Sequence, residues 1–403
     1  MTLFETLTSY AGRGAARFHM PGHKGVLPRP FDSVAKIDVT ELDTTGDLYY
    51  ESDGAIRRSE RGMAALFGAK DCLYLTGGAT QGVFTALASA VQPGGTVNIW
   101  RGCHRSVHNA LALLDLRPVW FWDAPEAPAP VFYTSPDYYG RLYPRPDTGG
   151  LTLCDAAHGA HLPFCLPEYT PPGNLWVASA HKTLGVLGQS AMLLSDGMAD
   201  PELLREQSSV FGTASPSFVL LASLDAGREE LEKNGRESWA RVAAFSGALA
   251  KRDGRVFVQD PAKVTVTTGD GLSDASRLAR EFSVVCEAAD KDRLVFMLSP
   301  HNTDEEFVRL ERALASIPLR NVRPQPERRY EIPQTVMTPR EAFFAPRERV
   351  SLRGSAGRVA ARVFAPSPPG VPFFSPGELI DKKTLEIISE MCYTVEETIW
   401  VVR

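Results

Sequence analysis

Several features that place a chain in a membrane, on a nucleic acid or outside the cell are missing from this sequence. No apolar run reaches the roughly 20 residues that span a bilayer. Residues 1–5 lack the basic-then-apolar order of a secretory signal. The formal net charge of −5 gives no electrostatic reason to expect nucleic acid or acidic membrane. We therefore expect a cytoplasmic protein, with no nucleic acid and no membrane among its partners.

Cysteines are few and scattered along the chain. The six are Cys72, Cys103, Cys154, Cys165, Cys286 and Cys392. They show no paired spacing of the kind that marks a disulfide framework or a zinc site. The sequence therefore favours reduced thiols.

The composition is that of an ordinary globular protein, with 44% hydrophobic and 23% charged residues. A length of 403 residues predicts two to three domains. We divide the chain into an N-terminal arm (1–45), a large domain (46–225), a linker helix with a smaller α/β domain (226–330) and a C-terminal region (331–403). In the large domain, nearly continuous apolar strands alternate with helical patterns, which predicts an α/β fold with a mostly parallel sheet covered by helices.

Apolar runs and caps predict the individual elements. Strands are expected at residues 72–75, 97–100, 151–154, 175–177, 255–258, 263–266 and 294–297. Helices are expected at residues 83–91, 183–190, 218–251, 273–282, 304–317 and from 382 onwards. Thr303 and Glu306 have capping-box spacing at the start of one of these helices. The polar, Pro-rich residues 320–333 are predicted to be a linker.

Residues at the carboxyl ends of the strands are the first candidates for a site, because ligands bind there in open parallel sheets. After the strand at 72–75, the residues Gly77, Gly78, Ala79 and Thr80 lead into a helix. Small residues let backbone N–H groups approach an anion at a helix N-terminus. No Gly-Lys-Ser/Thr follows, so this is not a Walker motif. Phosphate binding is one interpretation of the turn, and a tight strand-to-helix connection is the other.

Three side chains that follow later strands indicate a pyridoxal phosphate site. Lys182 comes just after an apolar strand, where a lysine is costly to bury, and this position makes sense if its amine forms a Schiff base. Asp155 can pair with a protonated pyridine nitrogen, although an aspartate at a strand end is also a common helix cap. His104 can stack on the cofactor ring or be a structural histidine. The order of these residues is that of a fold-type-I pyridoxal enzyme.

His158 and His161 raise the separate question of a metal. Their three-residue spacing would place both on one face of a helix, but two histidines make an incomplete site. We therefore expect no metal, and a metal hydrolase built on this pair stays an alternative.

Motifs spread over most of the chain point to one enzyme family. They are PGHKG (21–25), DVTEL (38–42), GAT (78–80), RGCHRS (101–106), DAAHGAH (155–161), SAHK (179–182), AGRV (356–359), PPGVP (368–372) and PGE (376–378). With them the chain resembles the bacterial ornithine/lysine/arginine decarboxylases of the aspartate-aminotransferase fold, which are fold-type-I pyridoxal phosphate enzymes.

The resemblance implies a role for each matched residue. Lys182 carries the cofactor as a Schiff base, Asp155 lies at the pyridine nitrogen and His104 stacks on the ring. The residues around the phosphate are Ala79, Thr80, Ser179 and His181, and the residue beside the phenolic oxygen is His158. Thr213 reaches the phosphate of a neighbouring subunit. This implies a homo-oligomer, at least a dimer, with shared active sites.

The resemblance also implies the reaction, which is decarboxylation of a basic amino acid (lysine, arginine or ornithine) to CO2 and an amine of polyamine biosynthesis. His104 and Lys182 both qualify as the acid that protonates Cα. A buried distal cation needs a carboxylate partner, and the candidates are Glu41, Asp43 and Glu378, each of which is otherwise a solvated surface acid. Arg358 either binds a substrate carboxylate or forms a structural ion pair.

Two positions depart from the family pattern. Gly102 stands where Asn is common, and Ala156 stands where Glu is common. Both changes spare the matched cofactor residues and bear on the substrate pocket. Two pyridoxal alternatives therefore stay open, an enzyme of another reaction type (aldolase, lyase or aminotransferase) and a non-catalytic paralogue that binds the cofactor.

Overall fold

The computed structural model describes residues 2–43, 45–50, 53–125, 128–320, 329–366, 370–391 and 398–403. The predicted linker at 320–333 and the PPGVP motif lie partly outside the described residues, and Cys392 lies wholly outside them. The other cysteines are free thiols.

A mostly parallel sheet dominates the fold, as the sequence predicts. Its strands are β1 (Asp71–Leu75), β2 (Thr96–Trp100), β3 (Arg117–Phe121), β4 (Val131–Thr134), β5 (Thr152–Asp155), β6 (Leu175–Ala178) and β7 (Ala191–Ser195). They lie in the order β1-β7-β6-β5-β4-β2-β3. The pairs β5–β6, β4–β2 and β2–β3 are parallel, whereas β7 is antiparallel to both of its neighbours. The predicted α/β fold class is confirmed.

Two smaller sheets follow in the chain. The strands β8 (Val256–Phe257), β9 (Lys263–Thr267), β10 (Ala288–Ala289) and β11 (Arg293–Met297) form an antiparallel sheet in the order β10-β11-β9-β8. The strands β12 (Arg347–Ser351) and β13 (Thr398–Val402) form an antiparallel pair.

Helices separate many, though not all, of the strands. They are α1 (Leu3–Gly12), α2 (Asp32–Ile37), α3 (Ala55–Leu66), α4 (Gly78–Ala90), α5 (Arg105–Leu113), α6 (Leu162–Cys165), α7 (Ala180–Thr183), α8 (Pro201–Phe211), α9 (Phe218–Arg252), α10 (Gly271–Phe282), α11 (Asp304–Ala315), α12 (Pro339–Phe344) and α13 (Lys382–Met391), with a 3₁₀ turn at Arg353–Ser355. Of the helices described, none combines the length and the apolar character that crossing a membrane requires.

The chain forms two compact units. The first unit contains residues 1–90 and 153–238, and the second unit contains residues 91–152 and 239–403. An apolar cluster in the second unit includes Phe364, Phe374, Ile380, Ile399 and Val401. Each unit is assembled from segments that are distant in sequence, so the four-part division drawn from the sequence stays a prediction.

A helix that the sequence analysis missed lies in the predicted arm. Thr2 and Glu5 form a capping box at the start of α1, and the side chains of Leu3 and Leu7 are buried. The Leu3 N–H group donates a 2.7 Å hydrogen bond to Asp225 Oδ2 in α9. The beginning of the arm is therefore docked on the first unit.

Two predicted helices differ from the observed ones. α4 begins at Gly78 rather than at residue 83, so the glycine-rich turn supplies the first turn of the helix itself. The expected helix at 183–190 is wrong, because α7 ends at Thr183 and residues 184–190 form bends and turns. That stretch contains two glycines and a left-handed residue, Gln189, which disfavour a continuous helix.

Candidate active site

The N-terminus of α4 is held close to the sheet by a glycine. A Cβ atom added at Gly82 would lie 2.7 Å from Val177 Cγ1 on β6 and 2.8 Å from Leu75 Cδ1 on β1. No side chain fits there, so the helix backbone packs directly on the two strands. The first-turn amides of Ala79 and Thr80, which have no intrahelical acceptor, therefore lie at the carboxyl end of β1.

Asp155 and Lys182 follow neighbouring parallel strands. Asp155 is paired in register with Val177, and its side chain is 5% exposed at the end of β5. Its Oδ1 accepts a 3.0 Å hydrogen bond from the Ala157 N–H group. The Ser179 N–H group donates to Ala157 O at 3.3 Å, which joins the two strand-end loops. The Asp155 carboxylate and the SAHK segment (179–182) therefore lie at the carboxyl ends of two adjacent strands.

Lys182 lies on the single turn of α7 with its amine against an imidazole. Its Nζ is 2.9 Å from His158 Nε2. His181, the preceding residue, donates its N–H group to Ser190 O at 3.2 Å. Burial lowers the pKa of His181, and the charge of Lys182 lowers it further. This part of the first unit therefore combines a primary amine, two imidazoles and a nearly buried carboxylate.

These groups fit pyridoxal phosphate. The Thr76 hydroxyl, just before the glycine-rich turn, is buried with no hydrogen-bond partner among the described residues, and a hydroxyl in that position is usually satisfied in a folded protein. The α4 first turn offers N–H donors for an anion, Lys182 offers an amine for an aldehyde, and Asp155 offers a carboxylate for a ring nitrogen. That these residues hold the cofactor stays a prediction.

Thr213 lies in the first unit, beside the residues that brace this turn. Its side chain is exposed and accepts a 3.2 Å hydrogen bond from the Ser215 N–H group. Its backbone hydrogen-bonds to the hydroxyl of Tyr49. Its predicted reach to a neighbouring subunit stays a prediction.

His104 lies in the second unit as the N-cap of α5. Its side chain is exposed, and its Nδ1 accepts a 3.2 Å hydrogen bond from the Ser106 N–H group. This bond fixes the orientation of the ring at the end of β2. Its predicted stacking on the cofactor stays a prediction.

Glu378 is one half of a buried ion pair in the second unit. The exposed fractions of the Arg101 and Glu378 side chains are 0% and 1%. Arg101 binds both carboxylate oxygens, with Nη2 at 2.8 Å from Oε2, and the Ser375 N–H group donates to Oε2 at 2.7 Å. Burial alone would lower the pKa of Arg101, but the charge of Glu378 together with Tyr330 and the hydrogen bonds to both residues outweighs burial and raises that pKa. A substrate cation would have to compete with Arg101 for the Glu378 carboxylate.

The other substrate candidates differ in their surroundings. Arg358 donates to Glu348 Oε1 at 2.7 Å and to Val402 O at 2.9 Å, which is the ion-pair alternative named from the sequence. Asp43 is exposed, and Glu41 is half-buried and accepts a 2.6 Å hydrogen bond from the Thr40 hydroxyl. Glu41 is also close enough to Tyr49 for its charge to act on the pKa of that phenol.

The two departures from the family pattern have different settings. A Cβ atom at Gly102 would lie 2.3 Å from Trp100 Cη2, so the indole of Trp100 occupies the place of a side chain. That indole is buried and packs 4.8 Å from the ring of Tyr143, centroid to centroid. Ala156 is a buried small residue directly after Asp155. The glycine at 102 is therefore matched to its tryptophan neighbour.

The metal alternative gains no support. Residues 156–161 are not helical, so the predicted shared helix face for His158 and His161 is wrong. Among the described residues no group of three or more His, Cys, Asp or Glu could hold a metal ion.

Sequence reasoning did not find the residues that brace the turn and the strand ends. Tyr49, Gln81 and Arg101 all make buried polar contacts with partners 32 or more residues away in the chain. A single sequence carries no signal for such pairs beyond the presence of a polar residue in an apolar setting.

Comparison with family models identifies two matching domains. The model for the Orn/Lys/Arg decarboxylase major domain matches residues 1–128, and the model for the C-terminal domain of the same family matches residues 323–396. The two matches together cover about half of the chain.

Individual proteins are similar over almost the whole length. An arginine decarboxylase of Bacillus subtilis is 25% identical over 453 residues, and one of Halalkalibacterium halodurans is 27% identical over 455; each alignment covers 96% of this chain and 92% of the relative. The crystal structure of the Francisella novicida lysine decarboxylase has a TM-score of 0.83 at 16% identity and covers 99% of this chain and 80% of that one. A structure of SPT with PLP has a TM-score of 0.53 at 14% identity and covers 78% of this chain and 84% of that one. At these identities the structural matches show the fold.

Proposed function

The chain belongs to the Orn/Lys/Arg decarboxylase family, and from this premise we propose that it decarboxylates a basic amino acid with pyridoxal phosphate as cofactor. The observation that carries the proposal is the meeting of Lys182, His158 and Asp155 at the ends of β5 and β6. An amine that can form a Schiff base and a nearly buried carboxylate that can pair with the ring nitrogen are the two groups that this cofactor uses in proteins.

Each residue of the first unit has a definite task in this proposal. Lys182 holds the cofactor covalently through its amine, and Asp155 keeps a proton on the ring nitrogen. The first-turn amides of α4, with Thr80, Ser179 and His181, hold the phosphate. When bound, the cofactor supplies an electron sink for the bond that breaks between Cα and the carboxylate. Asp155 makes that sink effective because a carboxylate stabilises the protonated ring.

Lys182 and His158 form a proton-sharing pair. At 2.9 Å the amine of Lys182 donates to His158 Nε2 when that ring nitrogen carries no proton. Such a pair can hold a proton near the reacting carbon and release it to Cα after CO2 has left. His104 is the other candidate for this donor.

The substrate is proposed to be lysine, arginine or ornithine. Relatives along the whole chain are named arginine decarboxylase and, at 23% identity, inducible lysine decarboxylase. We propose Glu41 or Asp43 as the partner of the distal cation, because both carboxylate oxygens of Glu378 are already bound by Arg101. Glu41 is favoured because it lies near Tyr49, which contacts the α4 first turn through Gln81. The product would be a polyamine-type amine formed in the cytoplasm.

Release of CO2 tests the reaction. Protein loaded with pyridoxal phosphate should release CO2 from at least one of lysine, arginine and ornithine, and non-basic amino acids should give much less. Lys182→Ala should abolish this release, whereas Lys233→Ala, at an exposed lysine of α9, should leave it unchanged. A keto acid or an aldehyde product without CO2 would show an aminotransferase or an aldolase, and cofactor binding without turnover would show a non-catalytic paralogue.

Borohydride reduction tests the cofactor link independently of turnover. The absorbance band of the bound cofactor should disappear on reduction, and peptide mapping should place the reduced adduct on Lys182. An adduct on another lysine would overturn the assignment of the site.

A homodimer with shared sites is proposed from Thr213 and from the surface of the arm. Phe18 is 96% exposed, and Met20, Val26 and Phe31 are also exposed. These exposed apolar side chains are offered as the contact with a second copy of the chain, the commonest partner in closed assemblies.

Complementation between inactive variants tests the shared site. Lys182→Ala and Thr213→Arg, mixed after reversible dissociation, should recover part of the activity because some heterodimers carry one intact site. A fully active monomer in solution would refute the shared site. Confirmed subunit exchange without recovery would show that Thr213 acts only within its own chain.

A further inference from the structure

Gln81 is a buried amide at the point where the glycine-rich turn becomes α4. Its side chain is 3% exposed, and both ends of its amide are hydrogen-bonded. Its Oε1 accepts from the Gly77 N–H group at 2.9 Å. Its Nε2 donates to Ser208 O at 2.9 Å, in the last turns of α8. One side chain thus ties the turn to a second helix of the same unit.

Glycines on both sides allow this close approach. A Cβ atom at Gly77 would lie 2.8 Å from Gln81 Oε1, and one at Gly212 would lie 2.5 Å from Gln81 Nε2 and 2.1 Å from the Tyr49 hydroxyl. The Tyr49 hydroxyl is in turn 3.5 Å from Gln81 Nε2. The amide is therefore closely surrounded. Two hydrogen bonds fix its orientation, one accepted by Oε1 from Gly77 and one donated by Nε2 to Ser208.

We infer that Gln81 is a positioning residue for the phosphate of the cofactor, an inference that rests on the proposed function. Gly77 and Gly78 form a stretch with large conformational freedom, and binding an anion there requires that freedom to be lost. Because Gln81 holds the Gly77 amide, the loss occurs on folding rather than on binding, which strengthens binding by preorganisation.

The chemistry of the side chain explains why the residue is a glutamine. An amide offers an acceptor for Gly77 and donors for Ser208 in one planar group. Glutamate would lose the donor and bring a negative charge towards the phosphate, and methionine of similar length would lose both functions. Gln81 itself need not touch the cofactor, so its effect is exerted through the backbone of the turn.

The role of Gln81 can be tested by comparing how tightly the cofactor-free protein binds two forms of the cofactor. This comparison distinguishes a positioning role from a general structural one. Affinities for pyridoxal phosphate and for pyridoxal, which lacks the phosphate, are measured by absorbance titration of the wild type, Gln81→Met and the control Gln92→Leu, an exposed glutamine just beyond the other end of α4. Gln81→Met should weaken binding of pyridoxal phosphate roughly tenfold, the effect of about one hydrogen bond. Its affinity for pyridoxal should stay within about twofold of the wild type, because the preorganised turn acts on the phosphate alone. Gln92→Leu should change neither.

A second variant covers the possibility that Gln81→Met does not fold. Gly77→Ala keeps the glutamine but inserts a Cβ atom 2.8 Å from its Oε1, and it should show the same phosphate-selective loss. Equal losses for both ligands, or no loss for either, would overturn the inference while leaving the proposed function intact. A wild-type protein that forms no reducible adduct with pyridoxal phosphate would overturn both.

Discussion

Replacing Glu378 by alanine should destabilise the protein strongly, because it leaves a buried guanidinium without its counter-charge. In the wild type, Arg101 is fully buried and binds both oxygens of the carboxylate. After the substitution it keeps Phe373 O at 2.8 Å, the Tyr330 hydroxyl at 3.1 Å and the face of Trp120, 4.7 Å from the ring centroid. These neutral partners replace the hydrogen bonds only in part and do not replace the charge.

The expected loss is about 3–5 kcal/mol, the usual effect of removing one partner of a buried ion pair. For a cooperative unit of 150–250 residues, 1 kcal/mol shifts Tm by about 2–4 °C, so the midpoint should fall by roughly 6–20 °C. A double variant, Arg101→Met with Glu378→Leu, removes both charges and should recover most of the loss, since apolar replacement of a buried pair is often neutral.

Thermal unfolding of the cofactor-free protein followed by circular dichroism measures the effect. Glu386→Ala, at an exposed glutamate of α13, is the matched control and should leave Tm unchanged within about 1 °C, as surface substitutions usually do. A Glu378→Ala protein with unchanged Tm but a raised KM for a basic amino acid would refute this reasoning and would restore Glu378 as the partner of the substrate cation.

Three further predictions concern close packing and pH. Gly102→Ala should lower stability by about 1–3 kcal/mol in chemical denaturation, because its Cβ would meet the buried indole of Trp100, and a smaller residue at 100 should relieve the loss. Gly82→Ala should separate α4 from Val177 and weaken pyridoxal phosphate binding in a titration, and unchanged affinity would contradict the close-packing argument. Burial lowers the pKa of His108 well below 6.5, so below pH 6.5 the unfolded state binds a proton that the folded state does not. The free energy of unfolding should therefore be at its full value above pH 6.5 and should fall below that pH by up to about 1.4 kcal/mol per pH unit. Unfolding measured at several pH values should show a smaller slope for His108→Phe.

The strands of the large sheet could be predicted from the sequence because their burial leaves a direct mark. Residues 72–75 and 175–177 are almost continuously apolar, and the observed strands β1 and β6 extend them by one residue each. Asp155 ends β5 and Lys182 follows β6, in line with the strands predicted at 151–154 and 175–177. The local sequence pattern is sufficient to place these residues because the carboxyl ends of parallel strands lie on the same side of a sheet.

Helix boundaries near glycine were harder to predict. α4 begins at Gly78 although glycine is a poor helix former, because Gly82 lets the helix lie against two strands and packing outweighs propensity. The capping box of α1 at Thr2 and Glu5 was present in the sequence and would have identified that helix.

Pairings across long stretches of chain lay beyond the sequence altogether. Arg101 and Glu378 are 277 positions apart, and Gln81 and Ser208 are 127 apart. The residues next to Arg101 and Glu378 in the sequence do not reveal that the two side chains are buried and paired. From its local sequence, Glu378 is more simply interpreted as a solvated surface acid.

The packing of Trp100 over Gly102 imposes an order on evolutionary change. A chain with asparagine at 102 can accept the tryptophan at 100 only after the asparagine side chain has been lost, because the indole and a Cβ atom would lie 2.3 Å apart. The reverse route requires the tryptophan to leave first. The two positions are therefore expected to be epistatic, so that asparagine at 102 is harmful while Trp100 is present and is tolerated together with a smaller residue at 100.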